Sequence, residues 1–162
     1  MATAIIRPNG DNIVEWVVEG ADHAWDALND SVEQPDDPTE LGGSCISDTL
    51  DDKLQVSFST LTRVKEVTQL DLWAFVVSTH AGDQLDAYLI VDDIYGDPVI
   101  TEAPGPDGGW VHGTLSGLSL SQSSLNGVAV ELQHVETDYT ILEVYAVYIV
   151  ATYTPRRRSL IT

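Results

Sequence analysis

Four histidines, His23, His80, His112 and His134, and one cysteine, Cys45, are the residues able to ligate a soft metal or to serve as nucleophile and base. Their spacing supports neither chemistry. A locally encoded zinc site needs two ligands within a few residues, as in HxH or HExxH, so that one turn or one strand face aims both at the same ion. No two histidines stand that close, and all four are expected at strand ends. Cys45 has no nucleophile signature around it and reads as a buried thiol. As the only cysteine it also excludes an intramolecular disulfide. The chain has no GxSxG elbow, no phosphate-cradling glycine loop and no dinucleotide fingerprint, since GPDGG at residues 105–109 follows no βα unit.

Carboxylates are abundant but indiscriminate. Asp36-Asp37, Asp51-Asp52 and Asp92-Asp93 with Asp97 are adjacent pairs of the sort that acid/base work on a glycoside uses across a gap of roughly 5–10 Å. With 26 acids in the chain, such pairs arise by chance. DDIYGD (92–97) offers Asp92, Asp93 and Asp97 as oxygen ligands for a structural Ca²⁺, without the spacing of a twelve-residue calcium loop, and a solvated turn is the expected reading. No cofactor is expected. Trp16, Trp25, Trp73 and Trp110, with six tyrosines, suggest the aromatic platform of a sugar-binding module. Trp73 lies in the most apolar stretch and is expected in the core. Trp110 directly follows a Gly/Pro loop and is the candidate for an exposed, partner-binding ring.

The charge balance narrows the partners. Asp and Glu number 26 against 7 Lys and Arg, for a formal net charge of −19. Nucleic acid is not expected as a partner, because a phosphate backbone is bound by bases that displace its counterions, and an anionic membrane surface is disfavoured for the same reason. Hydrophobic content of 43% separates the chain from acidic disordered segments. Seventeen Asp and nine Glu beside only two Lys resemble the proteins of salt-loving archaea. At about 1 M salt the Debye length falls to about 3 Å, and the self-repulsion of such a surface is largely screened. The N-terminus lacks a positive region followed by an apolar stretch, so a secretory leader is not expected, and the longest apolar run, residues 144–151, is too short to span a bilayer. A soluble protein is expected.

The elements that would position these residues are mostly strands. KLQVSFSTLT alternates Leu54, Val56 and Phe58 with Gln55, Ser57 and Ser59, the pattern of a half-buried antiparallel strand. VTQLDLWAFVVSTH (67–80) and LDAYLIVDD (85–93) are apolar on both faces, and the short AGD between them predicts a hairpin. TILEVYAVYIVATY (140–153) is long and β-branched and belongs at a sheet centre. TAIIRP, IVEWVVEG and HAWDALND read as edge strands, and RPNGDN, QPDDPTELGG, DDIYGDP and EAPGPDGG as loops. One short helix is predicted near residues 119–126, with Ser119 or Ser121 as cap and Asn126-Gly127 as its end. The whole predicts an all-β antiparallel sandwich, either jelly-roll-like or immunoglobulin-like, as a single domain over residues 1–154, followed by a basic tail at 155–162. Arg156, Arg157 and Arg158 in that tail are expected to dock on acidic neighbours, where the guanidinium fork matches carboxylates.

RPNGDN, EWVVEGADHAWDALND, the acidic PDDPTE loop, KLQVSFST and GGWVHGTLSGLSLSQSSLNGVAVELQ, taken in order, resemble the layout of jelly-roll virion proteins of tailed viruses of bacteria and archaea. Leu125-Asn126-Gly127-Val128, with Trp110 and Thr114 upstream, carries that likeness, which spans about residues 5–154. The resemblance implies a non-enzymatic structural protein on the virion exterior, a capsid decoration or cement protein that binds the major capsid protein or other virion subunits as a symmetric homo-oligomer such as a trimer. With the acidic composition, it implies a haloarchaeal virus. The alternative is a carbohydrate-binding, receptor-recognising module at a tail, vertex or fibre.

Overall fold

A computed structural model of the protein describes residues 1–40, 42–80, 84–102, 104–135 and 140–158. In chain order the elements are β1 (Ala2–Ile6), β2 (Pro8–Val14), β3 (Val17–Glu19), α1 (Ala24–Leu28), β4 (Ser44–Ser47), β5 (Lys53–Phe58) and β6 (Val64–Ser78). After them come β7 (Leu85–Val91), β8 (Ile94–Tyr95), β9 (Gly109–Leu115), α2 (Gln122–Asn126), β10 (Ala129–His134) and β11 (Leu142–Pro155). The strands form two antiparallel sheets, and the protein is the all-β sandwich that the alternating sequence predicts. Sheet A has the order β3-β4-β11-β6-β9, with β1 also paired to β11, and sheet B the order β2-β5-β10-β7-β8.

Strand β11 is central because its length serves several neighbours. β6 pairs along it from Leu142 to Pro155, while its other edge takes β4 at Leu142–Val144 and β1 at Ile149–Tyr153. Between the sheets lie Leu54 and Val56 of β5, Leu70, Leu72 and Val76 of β6, Leu85 and Leu89 of β7, and Leu132 of β10, all at most 3% exposed. Burying each such side chain contributes about 1.5–3 kcal/mol.

Three local expectations are corrected. The runs forming β6 and β7 do not make a hairpin: β6 pairs with β11 and β9 in sheet A, and β7 with β10 and β8 in sheet B. Both strands are apolar enough to face the core from opposite sides, so burial places them across the sandwich and not side by side. The AGD connection at 81–83 lies outside the described residues. HAWDALND forms a helix, not an edge strand, because Ala24, Ala27 and Leu28 share one buried face at helical spacing. Its first turn is capped from afar by Asp11, whose carboxylate accepts from the Ala24 N–H at 3.3 Å and the Trp25 N–H at 2.8 Å. RPNGDN, read as a loop, belongs largely to β2, an edge strand with register shifts between Pro8 and Gly10 and between Asp11 and Ile13. Proline is tolerated there because the first residue of an edge strand owes the ladder no donor.

The predicted short helix is present as α2, where the Ser121 hydroxyl accepts from the Ser124 N–H at 3.1 Å and Gly127 follows the last turn. DDIYGDP contains β8, reached through Asp92 and Asp93 with φ of 52° and 60°. Two consecutive left-handed residues are what a tight hairpin turn requires, and Asp tolerates that region better than most residues.

Candidate functional site

The chemistry-bearing residues are dispersed. His134 is 1% exposed, with its Nδ1 3.0 Å from the Ser47 Oγ and its Nε2 3.0 Å from the Thr140 Oγ1. The Ser47 hydroxyl donates to the Thr49 carbonyl at 3.1 Å, so its proton is already committed and the pair is an interior polar bridge. Cys45 is fully buried, and burial, aided by Asp11, pushes its thiol up to about 12. Among the described residues no three His, Cys, Asp or Glu gather as a metal site, and Asp92, Asp93 and Asp97 are not brought together as one. Asp92 instead accepts from the Ser124 hydroxyl at 3.0 Å.

Two faces of the sandwich carry aromatic clusters. On the outer face of sheet A the register sets His112, Trp73 and Tyr148 side by side across β9, β6 and β11. Trp73 therefore points away from the core, and the expectation that it is a core residue is corrected. Inward positions of β6 are Leu72 and Ala74, and the two-residue period of a strand sends Trp73 to the other side. Its ring is stacked on His112 at 4.1 Å and on Tyr148 at 6.4 Å, with interplanar angles of 18° and 15°. The next row holds Asp71, whose Oδ1 accepts from the Thr114 hydroxyl at 2.6 Å and lies 3.2 Å from the His112 Nε2. Although burial acts to raise it, the hydrogen bonds from Thr114, Gln69 and His112 prevail and lower the Asp71 carboxyl below its ordinary range.

Trp110 is half-buried in this cluster. Its indole N–H donates to the Asp36 carbonyl at 2.8 Å, and its ring meets Phe75 and Tyr148 at steep angles. Tyr148 is 3% exposed, with the Arg7 guanidinium 5.5 Å above its ring and its hydroxyl accepting from the Gln34 N–H. The acidic 30–37 segment thus lies over this end of sheet A. Since a sugar packs on the free face of a ring, and both faces of Trp73 are occupied, this cluster is cross-strand packing. Trp16, 3% exposed with its N–H given to the Asp52 carbonyl, is also structural.

The outer face of sheet B is different. Tyr95 is 50% exposed on the edge strand β8, yet its hydroxyl donates to the Glu131 Oε1 of β10 at 3.2 Å and accepts from the Gln55 Nε2 of β5 at 2.8 Å. Reaching those groups requires the ring to lie across β7, between β8 and β10. Tyr88 of β7 meets it at 6.2 Å and 66°, and the two rings form an aromatic corner. Around the corner stand Gln55, the 3%-exposed Glu131 and Asp86, which accepts from the Gln84 amide at 2.9 Å. Burial first, then Asp86 for Tyr88 and Glu131 for Tyr95, raises both phenols above their ordinary range, so they remain protonated donors at neutral pH. The arrangement offers the half-exposed Tyr95 ring beside the Gln55 amide, with the buried Glu131 holding the Tyr95 hydroxyl, and a ring exposed in this way can pack the apolar side of a pyranose.

Neither tyrosine stood out in the sequence, because β7 is apolar on both faces and Tyr95 sits inside a turn signal. The available signal was weaker: Gln55 and Glu131 are polar positions of two alternating strands. Their pairing opposite one another, Glu131 with both Gln55 and Tyr88, comes from the sheet order.

An apolar cleft lies elsewhere, at the open edge between β8 and β9, with a volume of about 600 Å³. Its walls are aliphatic and it lacks aromatic rings, so it is a poor sugar site. Arg156, Arg157 and Arg158 are exposed at the far end of β11, where the Arg156 N–H and Nε donate to the carbonyls of Arg63 and Val64.

No family model and no curated protein matches the sequence. Among solved structures, the chain is similar to the CBM36-1 domain of a multidomain xylanase from the hindgut metagenome of Trinervitermes trinervoides, with a TM-score of 0.50, 9% identity and coverage of 94% of this chain and 98% of that one. It is equally similar to CBM35 from Paenibacillus barcinonensis, with a TM-score of 0.50, 12% identity and coverage of 95% and 100%. The C-terminal CBM6 of a marine laminarinase from Zobellia galactanivorans follows at 0.48 and 10% identity, over 93% and 99%. CBM denotes a carbohydrate-binding module. At these identities the likeness establishes the sandwich fold, and the function must be argued from the site.

Proposed function

We propose that this protein is a non-catalytic carbohydrate-binding module whose recognition surface is the outer face of sheet B at Tyr88, Tyr95 and Gln55, with the buried Glu131 positioning the Tyr95 hydroxyl. The observation that carries the reading is the half-exposed Tyr95 ring, held in place by hydrogen bonds to Gln55 and Glu131. A ring fixed in this way loses little conformational entropy on binding, which favours it as an anchor. Burial acts first on the phenols, and the field of Asp86, Glu131, Asp93 and Asp97 reinforces it. That field opposes a uronate, so the ligand is a neutral or amino-bearing glycan.

A glycan array in molar salt, followed by calorimetry on the hits, tests the proposal. Tyr95→Ala should weaken binding by about tenfold or more, as removal of a central aromatic anchor does. Trp73→Ala, on the opposite sheet, should leave affinity unchanged. An array without hits, or a Tyr95→Ala variant that binds as the parent does, would refute the assignment. The likeness to virion jelly-roll proteins concerns where such a module would be displayed, and mass spectrometry of purified particles tests that setting.

A further inference from the structure

The cleft between β8 and β9 is a built feature with no part in the glycan reading. Leu89 and Val91 of β7, Ile94, Val99, Leu118 and Leu120 supply apolar walls, and Asp92 and Asp97 stand at its mouth. Ile94 is 68% exposed on its rim. An apolar trough with acids at the entrance suits a segment that carries cations next to aliphatic side chains. The protein's own sequence ends in such a segment, Arg156-Arg157-Arg158-Ser159-Leu160-Ile161-Thr162.

Charge placement strengthens the match. Of the seven Lys and Arg, five are Arg63, Lys65 and Arg156–Arg158, and they meet at the end of the molecule where β11 finishes and β6 begins. None of these five forms an ion pair among the described residues, where the arginine and lysine pairings reduce to Arg7 with Glu33. A chain of net charge −19 therefore presents its unneutralised bases together at one end. These bases already sit together in the fold, and an acidic second copy can neutralise them across the contact, with its Asp92 and Asp97 as the facing carboxylates.

We propose that the C-terminal segment of one copy docks in the β8–β9 cleft of a second, with Leu160 and Ile161 filling the apolar trough and the arginines facing Asp92 and Asp97. Such a contact joins two different surfaces and is head-to-tail, so it generates a ring where the rotation closes and a filament where it does not. The apolar part persists in molar salt while the ionic part is screened.

Sedimentation velocity of the full chain over a concentration series reads the association directly. Self-association is expected, and an added synthetic peptide of residues 156–162 should reverse it. The double variant Leu160→Asp with Ile161→Asp should weaken association by about tenfold or more. Asp92→Asn with Asp97→Asn should weaken it less, and more visibly at low salt than at high. A chain that stays monomeric at every concentration overturns the proposal, including the case in which the peptide binds only the Asp-substituted tail variant, since that would place the tail in its own cleft. Association that survives both the tail variant and excess peptide overturns it as well.

Discussion

Tyr145 shows how environment alone sets a residue's behaviour. It occupies the irregularity where β11 shifts register between Val144 and Ala146, its ring edge-on to Phe75 at 6.3 Å. Burial, then hydrogen bonding to Glu143, raises its phenol to about 12 from the ordinary 10. A folded-state value above the unfolded one contributes stability that is complete below pH 10 and lost as pH climbs through about 12. Denaturant unfolding at stepped alkaline pH should accordingly show stability falling across that window, and Tyr145→Phe should flatten the fall. Trp73 shows the complementary point. Its stacking partners each contribute about 0.5–1.5 kcal/mol, so truncation removes packing on a surface row and leaves no core cavity.

At the scale of elements, a glycine decides whether the cleft exists. Gly113 of β9 faces inward opposite Leu72, and a Cβ placed on it would lie 2.1 Å from the Val99 carbonyl oxygen. The 96–100 segment crosses close to β9 only because that side chain is missing, and it is fixed there by the Val99 N–H donating to the Ala87 carbonyl at 2.8 Å. Gly113→Ala should therefore destabilise the fold by about 1–3 kcal/mol through overpacking, seen as a lower melting temperature. The substitution should also loosen the cleft wall and weaken binding of the tail peptide. Helix α1 teaches the same lesson differently. Its cap is a carboxylate thirteen residues before the first residue of the helix, in a segment whose Pro, Asn and Gly read as a loop.

Across the whole molecule the dominant quantity is charge. With 26 acids against 7 bases and one Arg–carboxylate pair among the described residues, repulsion between carboxylates is left to the solvent to screen. Lowering salt from molar to about 0.1 M lengthens the Debye length from about 3 to about 10 Å and should lower the melting temperature of the isolated protein. An unchanged melting temperature would contradict the reading of this surface as adapted to brine. The same asymmetry gathers five bases at one end of an otherwise acidic body, which orients any association between copies.

Fold class was legible in the chain because alternation with period two is a local property: KLQVSF and VAVELQ state which side of a sheet each residue occupies before any partner is known. The cap of α2 and the central place of β11 were legible for the same reason. Which strands become neighbours is not local. β6 and β7 are adjacent in sequence yet lie in opposite sheets, since both carry enough apolar surface to line one interior from either side. The aromatic corner joins residues from β5, β7, β8 and β10, separated by up to 76 positions between Gln55 and Glu131, and only sheet order brings them together. Composition and period thus determined an acid-coated sandwich, and long-range pairing, decided by how two apolar faces share one core, determined where it can bind.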